Sequence, residues 1–257
     1  MSHFYTKDGQ SAYEVPCKSR PGEMRATTLA DAKKLGLVPS VTTIFQLLDK
    51  PALNHWLTEQ VFIAIDKLTP RKLDESLEIY KSRIITESKK ISESTSKRGT
   101  EIHDKLEHYI KGLRSAYDLS EEADYKIINA VSLELEKLNP SWKWVTEQSF
   151  YHPAGFGGKV DLHSQHDPFD PEGGIILDFK TKNTADFTKK LAYPEHMMQL
   201  AAYRLGLDKP KAVCYDLFIS TVEPGLVKLH KWTEEEIQKG EKMFLLLLEY
   251  WKLANNI

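Results

Sequence analysis

This sequence of 257 residues predicts an α/β fold: a mixed β-sheet core flanked by helices, with an N-terminal helical region. Three observations lead there. Up to Leu138, apolar residues recur mainly at helical spacing. The pattern changes at Asn139-Pro140, and from Trp142 onward short apolar runs alternate with Gly, Pro and Asp turns, as strands do. A single helical segment then interrupts the strands, and another closes the chain.

The elements follow in order. Residues 3–16 read as a short hairpin around the Asp8-Gly9 turn signal. Thr28 to Leu35 reads as a short helix closed by Gly36. Ser40 is a natural N-cap for the next, ahead of Val41, Ile44, Leu47 and Leu48. Pro51 suits the first turn of a helix carrying Leu53, Trp56, Leu57 and Phe62. A charged helix over 72–92 is expected, then separate helices over about 97–110 and 121–138. Strands are expected at 144–151, 156–163 and 174–180, a helix at about 187–205, strands at 212–220 and 226–231, and a last helix capped by Thr233 with Glu236 three residues on. The chain reads as one domain over 1–257, a hairpin and helical region over 1–95 and the core over 96–257. The site below draws on both halves.

Composition is ordinary for a globular protein, 41% hydrophobic and 28% charged. A formal net charge of -2 denies the overall basic footprint of a protein that coats nucleic acid. It leaves room for an enzyme with a locally basic groove around an acidic centre. Two cysteines, Cys17 and Cys214, cannot supply a four-cysteine zinc or iron–sulfur site and read as reduced thiols. The N-terminus lacks the apolar core of a signal peptide. The longest apolar block, Met243 to Leu248, is too short to span a bilayer. The expectation is a soluble, cytoplasmic protein with no membrane partner.

The most informative stretch runs from Gly158 to Lys180. It holds a G-x-x-D ending at Asp161, a turn-rich spacer, and an apolar run ending in Asp178-Phe179-Lys180. Side chains alternate along a strand, so Asp178 and Lys180 share one face while Leu177 and Phe179 take the other. Two acids on adjacent strands with a lysine beside them suit a hard divalent cation and an attacking water. An acid within Ile175-Ile176-Leu177-Asp178 is costly unless paired or bound to metal. On a downstream helix, Gln199 and Tyr203 are four apart and share a face.

G-x-x-D, then D-x-K, then Gln199 to Tyr203, preceded by Gly99-Thr100 and the helical His103, resembles the PD-(D/E)XK nuclease superfamily. Within it the set is similar to the RecB-type nuclease domain, a branch that includes phage exonucleases and the mitochondrial genome-maintenance exonuclease. The resemblance implies a restriction-endonuclease-like core. It implies that His103, Asp161 and Asp178 ligate Mg²⁺ or Mn²⁺, one or two ions, that the Phe179 carbonyl adds a backbone ligand, and that Lys180 is catalytic. An acid on the strand before the G-x-x-D often supports the metal in this superfamily, which singles out Glu147; its register stays open. Gln199 and Tyr203 would contact DNA or orient the catalytic groups. The implied activity is a metal-dependent DNA exonuclease of recombination, repair or phage DNA processing, bacterial or phage-encoded. Its partners would be single- or double-stranded DNA ends and a recombinase or single-strand-annealing protein, with neither ATP nor an iron–sulfur cluster. A structure- or site-specific endonuclease and a catalytically silent DNA-binding subunit stay open, as does a small-molecule phosphoesterase.

Other residues admit two readings each. Lys97, Arg98, Lys182, Lys189 and Lys190 either line the acidic centre for phosphate or are solvated surface. Trp142, Trp144 and Phe156 either stack on bases or pack in the core. Asp167, Asp170 and Glu172 form a second metal site or a solvated loop, and Glu107 is a remote support for His103.

Overall fold

The computed structural model describes residues 2–112, 121–141, 143–165 and 173–257, apart from the Ala52 side chain. Trp142 and the acidic loop of Asp167, Asp170 and Glu172 lie outside the described residues. The elements in order are β1 (Phe4–Tyr5), β2 (Glu14–Pro16), β3 (Met24–Ala26), α1 (Leu29–Leu35), β4 (Val38–Pro39), α2 (Val41–Ile44) with a 3-10 turn at Phe45–Leu47, α3 (Pro51–Lys67), α4 (Leu77–Ile110), α5 (Glu122–Leu138), β5 (Trp144–His152), β6 (Phe156–Ser164), β7 (Ile175–Lys182), α6 (Pro194–Gly206), β8 (Val213–Ser220), β9 (Val227–Lys231) and α7 (Glu234–Asn255). The fold is mixed α/β. The chain forms two compact units, Met1–Leu47 with Lys105–Ile257, and Leu48–Asp104.

The first unit is built on a five-stranded sheet in the order β5-β6-β7-β8-β9. All neighbours are antiparallel except β7 and β8, which run parallel and are joined through α6. A parallel pair needs such a crossover. Helix α6 packs on the sheet and α7 packs on α6. That approach is close: a Cβ on Gly240 of α7 would sit 2.8 Å from the Met197 carbonyl oxygen of α6. Phe244 and Leu248 of α7 and Leu200 and Ala201 of α6 are fully buried around it. Phe156 packs edge-on against both Phe150 and Phe244, so it is core and not a base-stacking platform.

Three sequence expectations are corrected. The Asp8-Gly9 turn forms, with Gly9 N–H donating to the Thr6 carbonyl and Tyr5 bridging Ser11. The flanking residues do not continue as one hairpin: β1 pairs with β4, and β2 with β3. Helices expected over 72–92 and 97–110 are one helix, α4. The serine-rich stretch between them suggests caps, but the hydroxyls of Ser92, Ser94 and Thr95 bond back to the carbonyls of Lys89 and Ile91 within the helix. Helix α6 starts at Pro194, not near Phe187. Proline lacks an N–H and suits the first turn, and it holds Tyr193 extended.

The second unit contains α3 and most of α4. Arg83 of α4 holds Glu75 at 2.8 Å and also donates to the Thr69 carbonyl and hydroxyl. Leu53, Leu57 and Phe62 of α3 are exposed.

Replacing Gly240 with alanine forces α7 away from the α6 backbone. We expect Gly240→Ala to cost about 1–3 kcal/mol, as overpacking does, read as a lower denaturation midpoint at unchanged denaturant slope. An unchanged midpoint would show that the helix pair is not held at this spacing.

Candidate active site

The sheet brings acids from four strands to one level. Ladder pairs Thr146↔Leu162 and Gln148↔Val160 place Glu147 of β5 opposite Asp161 of β6. Leu162 pairs with Leu177, so the next position sets Asp161 against Asp178 of β7. Asp178 is paired in register with Asp216 of β8, and Asp216 with His230 of β9. Directly opposed side chains share a face, and like charges so placed repel.

The β6–β7 ladder covers only Leu162↔Leu177 and His163↔Ile176. Beyond it the Phe179 N–H donates to Asp161 Oδ2 at 3.0 Å. The N–H and C=O of one strand residue leave on the same side, so the Phe179 carbonyl points the same way. The β6–β7 ladder thus ends where the two aspartates stand.

Asp178 is only 2% exposed. Its carboxylate forms an ion pair with Lys180 and accepts from Gln199 Nε2 at 3.1 Å. The same amide nitrogen donates to the Tyr203 hydroxyl at 2.6 Å, while Gln199 Oε1 accepts from Lys180 Nζ at 2.8 Å. One side-chain amide thereby fixes the acid, the lysine and the phenol. Gly158, three residues before Asp161, makes room: a Cβ there would lie 2.7 Å from the Phe150 ring and 3.4 Å from Tyr203.

The electrostatics follow from burial. Burial and then the charge of Asp178 push the Asp161 carboxyl well above the usual range; Lys180 and the Phe179 N–H oppose this. For Lys180, burial favours the neutral form, but Asp178 and Asp216 outweigh it and the net shift is upward. Lys180 is therefore an ammonium. The Tyr203 phenol is pushed well up by burial and then by Asp178 and Asp161, and stays neutral.

Glu147 pairs with Lys159. Its backbone is left-handed, with φ 55°, a conformation that a side chain of this type rarely adopts. Strain of this kind collects at functional sites.

Sequence reasoning missed Asp216. It is completely buried and accepts from Trp232 Nε1 at 2.8 Å, with His196 Nδ1 at 3.6 Å. Burial first, then Asp178, raises its carboxyl to about 7 against the opposing charge of Lys180. The signal was present: an acid within the apolar run 213–219, the same feature that marked Asp178.

The other candidates are placed as follows. His103 stands on α4, half-buried, in the second unit, as do Lys97 and Arg98, each within 3.8 Å of Glu101. Glu107 pairs with Lys111. Trp144 is half-buried at the start of β5. Lys182 lies on the Lys180 face of β7, its ammonium 5.4 Å from the Tyr193 ring centroid and 5.5 Å from that of Phe218. Among the described residues no group of three or more His, Cys, Asp or Glu side chains is gathered for a metal, both cysteines are free, and no helix is long and apolar enough to cross a membrane.

No family model matches the chain, and no curated protein matches it. Among the solved structures, 16 chains are similar. One is SSO0001, 17% identical, with a TM-score of 0.26 over 57% of this chain and 74% of that one. Another is a protein from Eubacterium rectale whose name includes the word exonuclease, 13% identical, with a TM-score of 0.39 over 62% of this chain and 68% of that one. Likenesses at this level carry no assignment of the site.

Two outcomes check the site's geometry. Glu147→Gly and Glu147→Ala both remove the carboxylate, but only glycine tolerates the left-handed backbone. The glycine variant should be more stable by about 1 kcal/mol; equal stability would place Glu147 in ordinary strand conformation. For Asp216, the folded carboxyl titrates above its unfolded value. Its contribution to stability is therefore greatest below about pH 4 and declines as pH rises toward about 7. In chelating buffer, the melting temperature of Asp216→Asn should fall less over that window than that of the parent. Parallel curves would remove Asp216 as the titrating group.

Proposed function

We propose that the chain is a Mg²⁺- or Mn²⁺-dependent deoxyribonuclease of the RecB type in the PD-(D/E)XK superfamily, acting as an exonuclease. The observation that carries this reading is the opposition of Asp161 and Asp178 where the β6–β7 ladder ends, with Lys180 fixed beside them through Gln199.

The donor set fits a hard cation. Two carboxylates and a backbone carbonyl offer oxygen ligands, and magnesium keeps waters or takes substrate phosphate for the rest. Burial, and then the charge of Asp178, hold the Asp161 carboxyl up, and a nearby cation would act against both. In this reading His103 adds its imidazole, on the strength of the Gly-Thr-x-x-His resemblance. A divalent ion held here would supply positive charge at the scissile phosphate and an acidified water.

The chain's own residues do the rest. Lys180 is charged, so it donates: it can orient the attacking water and meet the negative charge that builds on the phosphoryl oxygens. Gln199 locks the Lys180 and Asp178 side chains in one geometry, so little reorganisation is needed when the substrate arrives. Tyr203 stays neutral and anchors Gln199. Glu147, opposite Asp161, adds negative potential that strengthens cation binding. In-line attack would expel the 3′-oxygen and leave a 5′-phosphate.

End-labelled single- and double-stranded DNA should be degraded from an end with Mg²⁺ or Mn²⁺ and survive with chelator, while covalently closed circles stay intact. Asp178→Asn and Lys180→Ala should each slow cleavage by roughly 10²–10³-fold with unchanged far-UV circular dichroism. A folded Asp178→Asn protein that cuts at the parent rate would end the proposal, and cutting of closed circles would replace exonuclease with endonuclease.

A further inference from the structure

On the Asp178 face of the sheet, a cleft of about 470 Å³ opens toward the β9 edge, between β8, β9, the segment before α6 and the first turns of α7. The volume suits a small organic ligand. Its lining combines rings and ammonium groups. Tyr193 and His230 are partly exposed there, beside the buried rings of Phe218 and Trp232. Trp232 is held in place by its bond to Asp216 and by edge-on contact with His230 at 4.5 Å. Lys189, Lys190, Lys228 and Lys239 also line the cleft.

Of these ammonium groups Lys189 is paired, 3.6 Å from Asp186. Glu236 is the one acid in the lining, and it is committed to capping α7, accepting from the Thr233 N–H and hydroxyl, each at 2.9 Å. Lys228 donates to the Phe187 carbonyl at 3.0 Å, which leaves two further N–H donors. Lys190 sits 5.6 Å from the Tyr193 ring centroid. His230 Nε2 is buried with no hydrogen-bond partner among the described residues. Lys182, over the same Tyr193 and Phe218 rings, stands two residues along β7 from Lys180, so the cleft adjoins the acid row.

A ligand that uses these features is planar and aromatic at one end and anionic at the other. We propose that the cleft binds a nucleoside monophosphate unit, its base against the Tyr193 ring and its phosphate held by Lys190, Lys228 and Lys239. Stacking of a base on an aromatic side chain contributes about 1–3 kcal/mol, and an ammonium–phosphate contact adds charge-assisted hydrogen bonds. The unit is either a free mononucleotide or the terminal nucleotide of a strand. Its relation to cleavage rests on the nuclease reading; its chemistry does not.

Calorimetric titration of the full chain in chelating buffer tests this without cleavage. The probes are the four 2′-deoxynucleoside 5′-monophosphates, deoxyadenosine, inorganic phosphate and a short oligonucleotide with a terminal phosphate. At least one monophosphate should bind saturably at one site, with deoxyadenosine and phosphate each weaker by about tenfold or more. The K190A/K239A variant and, separately, Tyr193→Ala should each weaken it by about tenfold. Displacement by the oligonucleotide identifies a strand end as the occupant; failure to displace identifies the free nucleotide. No saturable binding of any monophosphate at millimolar concentration overturns the proposal, as does undiminished binding by the lysine variant or equal binding of inorganic phosphate. Binding by a parent protein that cuts no DNA would end the nuclease reading and leave the cleft assigned.

Discussion

The constraint on which this architecture turns is the crowding of Glu147, Asp161, Asp178 and Asp216 at one level of adjacent strands. Opposed like charges on a sheet repel, and burying them deepens the penalty. The protein offsets this in three ways. It places a cation, Lys180, against Asp178. It supplies neutral donors: the Phe179 N–H to Asp161, Gln199 to Asp178 and Trp232 to Asp216. And it draws Asp161 and Asp216 toward their protonated forms. The β6–β7 ladder ends before this level, and the Phe179 N–H bonds the Asp161 carboxylate there.

The helices serve the same point. Gln199 contributes only if α6 lies at one depth on the sheet. That depth is fixed from above by the Gly240 contact with Met197. It is fixed along the helix by buried Arg204, which holds Glu234 of α7 at 2.7 Å. From below, Phe150 packs edge-on against Tyr203 at 6.1 Å, over Gly158. The glycine of the G-x-x-D and the aspartate it introduces are thus linked mechanically: the first lets Phe150 and Tyr203 close over the strand whose third residue on is Asp161.

Much of this was legible in the sequence, because strand alternation is a local property. The pairing of Asp178 with Lys180 on one face, the strands that carry them and the shared face of Gln199 and Tyr203 all follow from spacing. What was not legible depended on register and on competition between equal local signals. Whether Glu147 faces Asp161 is decided by which residue of β5 meets which of β6, and the left-handed residue at that position leaves no mark in composition. The N-terminal turn signal was real, yet β1 found β4 rather than β2, a choice made by packing. The serine-rich stretch of α4 resembles a cap in composition, and only the hydroxyl geometry shows an unbroken helix. Asp216 differs: its apolar surroundings announced it as plainly as those of Asp178, but no neighbouring D-x-K drew attention to it.

A sheet selected for stability alone has little use for such a row. Replacing a buried ionic cluster with apolar side chains of similar volume is commonly neutral or stabilising, and the acids sit among apolar neighbours, Leu177 and Phe179 on β7 and Tyr215 and Leu217 on β8. A left-handed glutamate opposite the acids adds a further cost. Costs concentrated at one level of one sheet, on the face that also carries a fixed ammonium and an aromatic, basic cleft, fit a place where another species supplies the missing charge. In the proposed nuclease a divalent cation between Asp161 and Asp178 would meet that description, because it would relieve the repulsion that the protein's own donors only partly offset. The same proposal accounts for surrounding charges that are mixed rather than uniformly basic: the acids would hold the cation, and the lysines beyond them would meet the phosphate of the substrate.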